Sequence, residues 1–129
     1  MGGFLVARDD GLYTRTRSVL LDLGAEIYGD AHGAMVQLTD PEGRLFTAFE
    51  RAPAGTEGEF NVGPFWAAPG VTLPEMSKVV ACPFECRWVD LVVRIADLVA
   101  RSSERPTWLL DGDGVVWDAE HVDPGAVSL

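Results

Sequence analysis

Two four-residue segments constrain the fold of this chain more than any other feature. Asp40-Pro41-Glu42-Gly43 stands between apolar runs over 34–39 and 44–50, and Asp111-Gly112-Asp113-Gly114 stands between runs over 107–110 and 115–118. Asp opening a segment and Gly closing it is turn chemistry, so each segment is expected to be the tip of a β-hairpin. Each hairpin follows a stretch of helical periodicity. Leu12, Tyr13, Thr16, Val19, Leu20 and Leu23 recur at helical spacing, with Asp9 or Asp10 as an N-cap and Gly24 as a left-handed C-terminal cap, which predicts a helix over 11–23. Trp88, Leu91, Val92, Ile95, Leu98 and Val99 form a second apolar face, and Pro106 closes a helix over 88–102. Its outer face offers Asp90 with Arg94 and Asp97 with Arg101 as i, i+4 pairs, acid first. Shorter strands are expected over 25–28 and 78–85. A helix followed by a hairpin thus occurs twice, a weak α-β-β repeat that records either a duplication or two solutions of one turn problem. Short hairpin connections predict an α+β fold: a mainly antiparallel sheet with two helices packed on one face.

The chain of 129 residues fits a single domain over 1–129. Apolar residues at 47% and charged residues at 23% exclude extended disorder, and charges interrupt every apolar run before it reaches bilayer length. The opening residues, Met1 to Arg8, carry no basic segment of a secretory signal, and Val6 stands where a myristoylation motif needs Ser or Thr, so a cytoplasmic protein is expected. Cys82 and Cys86, roughly 13 Å apart on an extended strand, lie beyond disulfide reach and are expected as free thiols. Nine Arg against one Lys is the bias of a GC-rich bacterial genome.

The net charge of −10 is unevenly placed: Asp111, Asp113, Asp118, Glu120 and Asp123 follow one another to the C-terminus with no Lys or Arg among them. Such a field repels phosphate backbones and anionic lipid, which argues against nucleic-acid and membrane partners. Between the hairpins, residues 52–74 carry so many Gly and Pro that a long loop is expected, and it also holds Phe60, Phe65 and Trp66. Aromatics in such a frame either anchor a partner or fold back over the core and a sheet edge.

The run Leu109-Leu110-Asp111-Gly112-Asp113-Gly114-Val115-Val116 resembles the first motif of haloacid-dehalogenase-like phosphatases. The resemblance covers about ten residues and implies Asp111 as the phosphoryl-accepting nucleophile and Asp113 as the acid/base, with Mg²⁺ balancing the charge. In that family the remaining strands and a lysine follow the motif, whereas here eleven residues follow Asp118 and Lys78 lies upstream. A tight turn accounts for the same residues. The spacing of Gly114 and Val115 fails the EF-hand pattern; Cys82 and Cys86 fall within zinc-ligand spacing, but His32 and His121 do not form a second pair, so the signal is not specific. No metal or cofactor is therefore expected.

The expected function is that of a small acidic protein-binding protein without enzymatic activity, specifically an immunity protein or antitoxin that occupies a basic bacterial toxin. Its expected contacts are Asp111, Asp113, Asp118, Glu120 and Asp123 with Phe65 and Trp66. The alternative is a divalent-metal phosphatase or hydrolase built on Asp111 and Asp113. An exposed strand edge would also allow a homodimer.

Overall fold

A computed structural model describes residues 1–31, 33–51 and 63–129. Its elements run β1 (Gly2–Ala7), α1 (Leu12–Asp22), β2 (Glu26–Asp30), β3 (Gly33–Thr39), β4 (Leu45–Phe49), β5 (Trp66–Ala67), β6 (Val80–Glu85), α2 (Val89–Arg101), β7 (Thr107–Leu110) and β8 (Val115–Asp118), with a 3₁₀ turn at Met76–Lys78 before β6. The strands form one sheet in the order β2-β3-β4-β6-β1-β7-β8-β5. Every neighbouring pair is antiparallel except β5 with β8. This is the α+β architecture that two hairpins and two amphipathic helices require.

Both helices lie on one face of the sheet, because alternate strand residues aim apolar side chains at it. Leu5, Val36, Phe46, Phe84 and Leu109 meet Leu12 and Leu20 of α1 and Leu91, Ile95 and Val99 of α2 in one core. Leu91, Ile95 and Val99 are almost wholly shielded from water, and each contributes about 1.5–3 kcal/mol through burial. The opposite sheet face is covered over β1, β7 and β8 by the segment after residue 63. There Phe65, Val71, Met76 and Val79 pack on Val6, Trp108, Leu110 and Val116.

The largest departure from the sequence expectation is β1, a segment in which the sequence showed only the lack of a targeting signal. It lies between β6 and β7 near the middle of the sheet. Gly2 and Gly3 lower its strand propensity, yet both are needed: a Cβ on Gly2 would lie 2.0 Å from the Phe84 carbonyl oxygen, and one on Gly3 2.5 Å from that of Leu110. At the start of α1 neither Asp caps the helix. Gly11 occupies the cap position, and Asp9 accepts from the Gly11 amide at 3.2 Å and pairs with the Arg15 guanidinium.

In α2 the apolar face is completed by Ala96 and Ala100, not by Trp88. Trp88 precedes the helix, is 40% exposed, and lies against the guanidinium groups of Arg44 and Arg87. Asp97 and Arg101 form the expected pair at 2.9 Å, but Asp90 turns away from Arg94 to Arg44 at 2.8 Å. A cross-element partner already fixed by its own turn displaces the local one. Of the expected loop, residues 52–62, with Phe60, lie outside the described residues, as does His32; from residue 63 onward the loop contains β5 and the 3₁₀ turn. Among the described residues no helix is long and apolar enough to cross a membrane.

Candidate functional site

The acidic hairpin between β7 and β8 is a turn closed by backbone bonds, Asp111 N–H to Val115 O at 3.0 Å and Gly114 N–H to Asp111 O at 3.3 Å. Gly114 adopts φ +83°, the left-handed conformation that the closing position of this turn requires. The Asp111 carboxylate is buried and shared out within the chain. Its Oδ1 accepts from the amides of Asp113 at 2.9 Å and Val115 at 3.0 Å, and its Oδ2 accepts from the Trp117 indole at 3.0 Å and the Ser128 amide at 3.1 Å. The Gly112 amide donates to Ser128 O at 2.7 Å and completes the tie to the C-terminal segment.

Four donors on two oxygens leave no lone pair aimed at an incoming phosphorus or a metal. The arrangement holds a turn and a returning segment together. Asp111, expected as a partner contact or as a nucleophile, is only 5% exposed, and its carboxylate is engaged in tying the turn to the C-terminal segment.

The other expected residues fall into three places. Asp113 is exposed at the turn, one residue before Gly114, which Trp66 contacts. The Trp66 amide donates to Gly114 O at 2.9 Å, and its ring lies where a Cβ on Gly114 would come within 3.2 Å of it. Trp66 is 55% exposed, whereas Phe65 is half-buried on the second core. Asp118, Glu120 and His121 cluster at the opposite end of β8, with ligand atoms within 4.8 Å of one another. Asp118 accepts from the Glu120 amide at 2.9 Å and approaches His121 Nδ1 at 3.3 Å, so the local turn accounts for the cluster. Asp123, exposed on the returning segment, accepts from the Gly125 amide at 2.8 Å. Phe65 and Trp66 thus lie at the Asp111–Gly114 turn, away from Asp118 and Glu120 at the other end of β8.

Next to Phe65 and the acidic turn the open sheet face holds a pocket of about 700 Å³. Phe4, Phe49, Pro83 and Leu110 line it, and Glu85 stands exposed among them. None of these residues was singled out in the sequence. They come from four strands, and only the one-face alternation of each strand could have marked them.

None of the protein-family models, curated proteins or solved structures compared with the chain matches it. The chemistry of its own side chains is therefore what bears on function.

The thiols are unsuited to zinc or nucleophilic chemistry. Both are free and buried. Burial pushes the Cys82 thiol up to about 12, with the Thr16 side chain and the Phe49 carbonyl only partly offsetting it, and burial raises Cys86 as well. At neutral pH each stays protonated, the form that neither attacks nor ligates well.

Among the described residues the acids divide by their pairing. Asp9 pairs with Arg15, Asp40 and Asp90 with Arg44, Asp97 with Arg101 and Glu75 with Lys78. Asp113, Asp118, Glu120 and Asp123 form no ion pair with any described Lys or Arg.

Proposed function

We propose that the protein is an acidic binding protein that occupies a basic partner protein, in the manner of an immunity protein or antitoxin that blocks a toxin. The observation that carries this reading is the acid set of the C-terminal segment: Asp113, Glu120 and Asp123 are exposed and Asp118 half-buried, none forms an ion pair with a described Lys or Arg, and only Glu120 feels a nearby cation, Arg101. Their field is free to act on an approaching cationic surface and to speed its association. Trp66, exposed against Gly114 of the acidic turn, supplies the kind of aromatic anchor on which interfaces concentrate binding energy. A cytoplasmic setting agrees with two free, buried thiols.

The test is capture from host lysate by the tagged protein, followed by association kinetics with the protein recovered. Reversing Asp113, Glu120 and Asp123 to Lys is expected to slow association about tenfold or more at low salt and to flatten its salt dependence. The recovered protein is expected to be basic, and co-expression with the acidic chain should relieve any toxicity it causes. An unchanged association rate in the reversed variant would remove the electrostatic basis of the reading.

A further inference from the structure

We infer that β2 is a docking edge on which a basic partner adds an extended segment as a further antiparallel strand. The inference rests on the reading that the partner is basic, and it adds to the acidic tail and Trp66 a second contact at the opposite end of the sheet. The two edges of the sheet differ in the way that matters for strand addition. β5 is two residues long and stands between Pro64 and Pro69, which shorten and blunt it. β2 runs five residues, pairs with β3 without a bulge from Glu26 opposite Gln37 to Asp30 opposite Gly33, and contains no Pro, Lys or Arg. Its apolar residues are open on both faces, Ile27 at 53% and Tyr28 at 46% exposed.

The direction of its free backbone groups follows from the neighbouring ladder. Glu50 N–H donates to Ala34 O at 2.9 Å and Asp40 N–H to Arg44 O at 2.9 Å, so the even-numbered residues of β3 bond to β4. The odd-numbered ones, Gly33, Met35 and Gln37, turn to β2, where they face Asp30, Tyr28 and Glu26. Ile27 and Gly29 therefore present both N–H and C=O to the free edge. Nothing lies within 4 Å of a Cβ built on Gly29, so the sheet face is also uncrowded at this position.

Charge selects the occupant. A second copy would bring the acid Glu26 of each strand to the same ladder, where like charges close together are destabilising. Two chains of net charge −10 repel in addition. A segment with β-branched residues flanked by Lys or Arg would pair its backbone with Ile27 and Gly29 and place its cations near Glu26, whose carboxylate accepts from the Tyr28 hydroxyl at 2.7 Å. At the hairpin end Glu50 and Arg51 both lie against Gly33, and their charges offset one another.

The probes are two capped peptides, acetyl-Lys-Val-Thr-Val-Thr-Lys-amide and the same peptide with Glu at both ends, titrated into the full chain and followed by amide NMR. The basic peptide is expected to shift the Ile27 and Gly29 signals and slow their hydrogen exchange, with affinity about tenfold or more above that of the acidic peptide. Gly29→Pro removes one outward N–H while leaving the bonds to β3, so it should abolish the effect, and Gly29→Ala should keep it. No perturbation at β2, equal response to both peptides, or a concentration-dependent dimer through these residues would overturn the inference. Undiminished capture of the basic partner by Gly29→Pro would also overturn it, while leaving the proposed function intact.

Discussion

The hairpin turns at Asp40 and Asp111 solve one backbone problem in the same way and then diverge. In each, the first Asp accepts on Oδ1 from the amides two and four residues on, at 3.0 and 2.8 Å for Asp40 and at 2.9 and 3.0 Å for Asp111. In each, the closing Gly is left-handed, at φ +79° and +83°. The difference is the second carboxylate oxygen. That of Asp40 takes the Arg44 guanidinium at 2.7 Å, which also reaches Asp90 of α2 on the surface. That of Asp111 takes the buried Trp117 indole and the Ser128 amide. The carboxylate of an Asp-Gly-rich hairpin that resembles a phosphatase motif is thus engaged as the Asp40 carboxylate is, in closing its own turn, and the comparison predicts that the two turns tolerate damage differently.

The largest contrast is expected between Asp111→Ala and Asp40→Ala. Removing the buried carboxylate strands an indole and backbone amides that water cannot readily reach, and the expected loss is about 3–5 kcal/mol in urea unfolding. The Asp40 side chain is also largely shielded, but it serves amides of its own turn and a guanidinium that reaches the surface, so Asp40→Ala should cost less. Equal losses would mean that the C-terminal tie contributes nothing.

A smaller contrast separates the closing glycines. Nothing lies within 4 Å of the place a Cβ on Gly43 would take, so Gly43→Ala meets only the left-handed backbone penalty, about 1 kcal/mol. In Gly114→Ala the new Cβ also meets Pro64 O at 2.9 Å and the Trp66 ring at 3.2 Å, which should at least roughly double the loss and displace Trp66. Thermal unfolding of the two variants, with the Trp66 indole signal followed by NMR, measures both effects.

The smallest expected effect is the acid response of the Arg44 side. Burial works against ionisation of Asp40, but hydrogen bonds from the Arg44 backbone and guanidinium and from the Glu42 amide outweigh it and hold the group below its ordinary value of 3.8. Asp90 is held below 3.8 chiefly by its hydrogen bonds from the Arg44 guanidinium. A depressed carboxyl stabilises the fold above its unfolded value, and that contribution is lost as pH falls below about 3.8 through the folded value. Arg44→Met should therefore flatten the fall in urea midpoint between about pH 5 and about pH 2.5. A slope equal to that of the parent chain would show that the exposed Arg44 network adds no pH-dependent stability.

The helices and hairpins were legible because their signals are local: 3.6-residue periodicity in Leu91, Ile95 and Val99, and turn chemistry in Asp-Pro-Glu-Gly and Asp-Gly-Asp-Gly. The strand β1 was not, since Gly2 and Gly3 read as poor strand formers until the carbonyls of Phe84 and Leu110 stand beside them. Among the candidate contacts, nothing local placed Trp66 at the acidic turn, because it reaches Gly114 through the parallel pairing of β5 with β8. Nor could the sequence show that Asp111 is buried, which depends on Ser128 returning across the turn.

The sequence by itself therefore determined the element types, the two turns, the antiparallel character of the sheet and the excess of acid toward the C-terminus. These depend on contacts between residues a few positions apart and on composition. Only the tertiary structure decided which acids are neutralised by Arg44 or buried by Trp117 and which face solvent, where β1 enters the sheet, and which edge remains open. Those outcomes depend on atoms brought together from distant parts of the chain, and the free energy of each group is set by neighbours that no local pattern encodes.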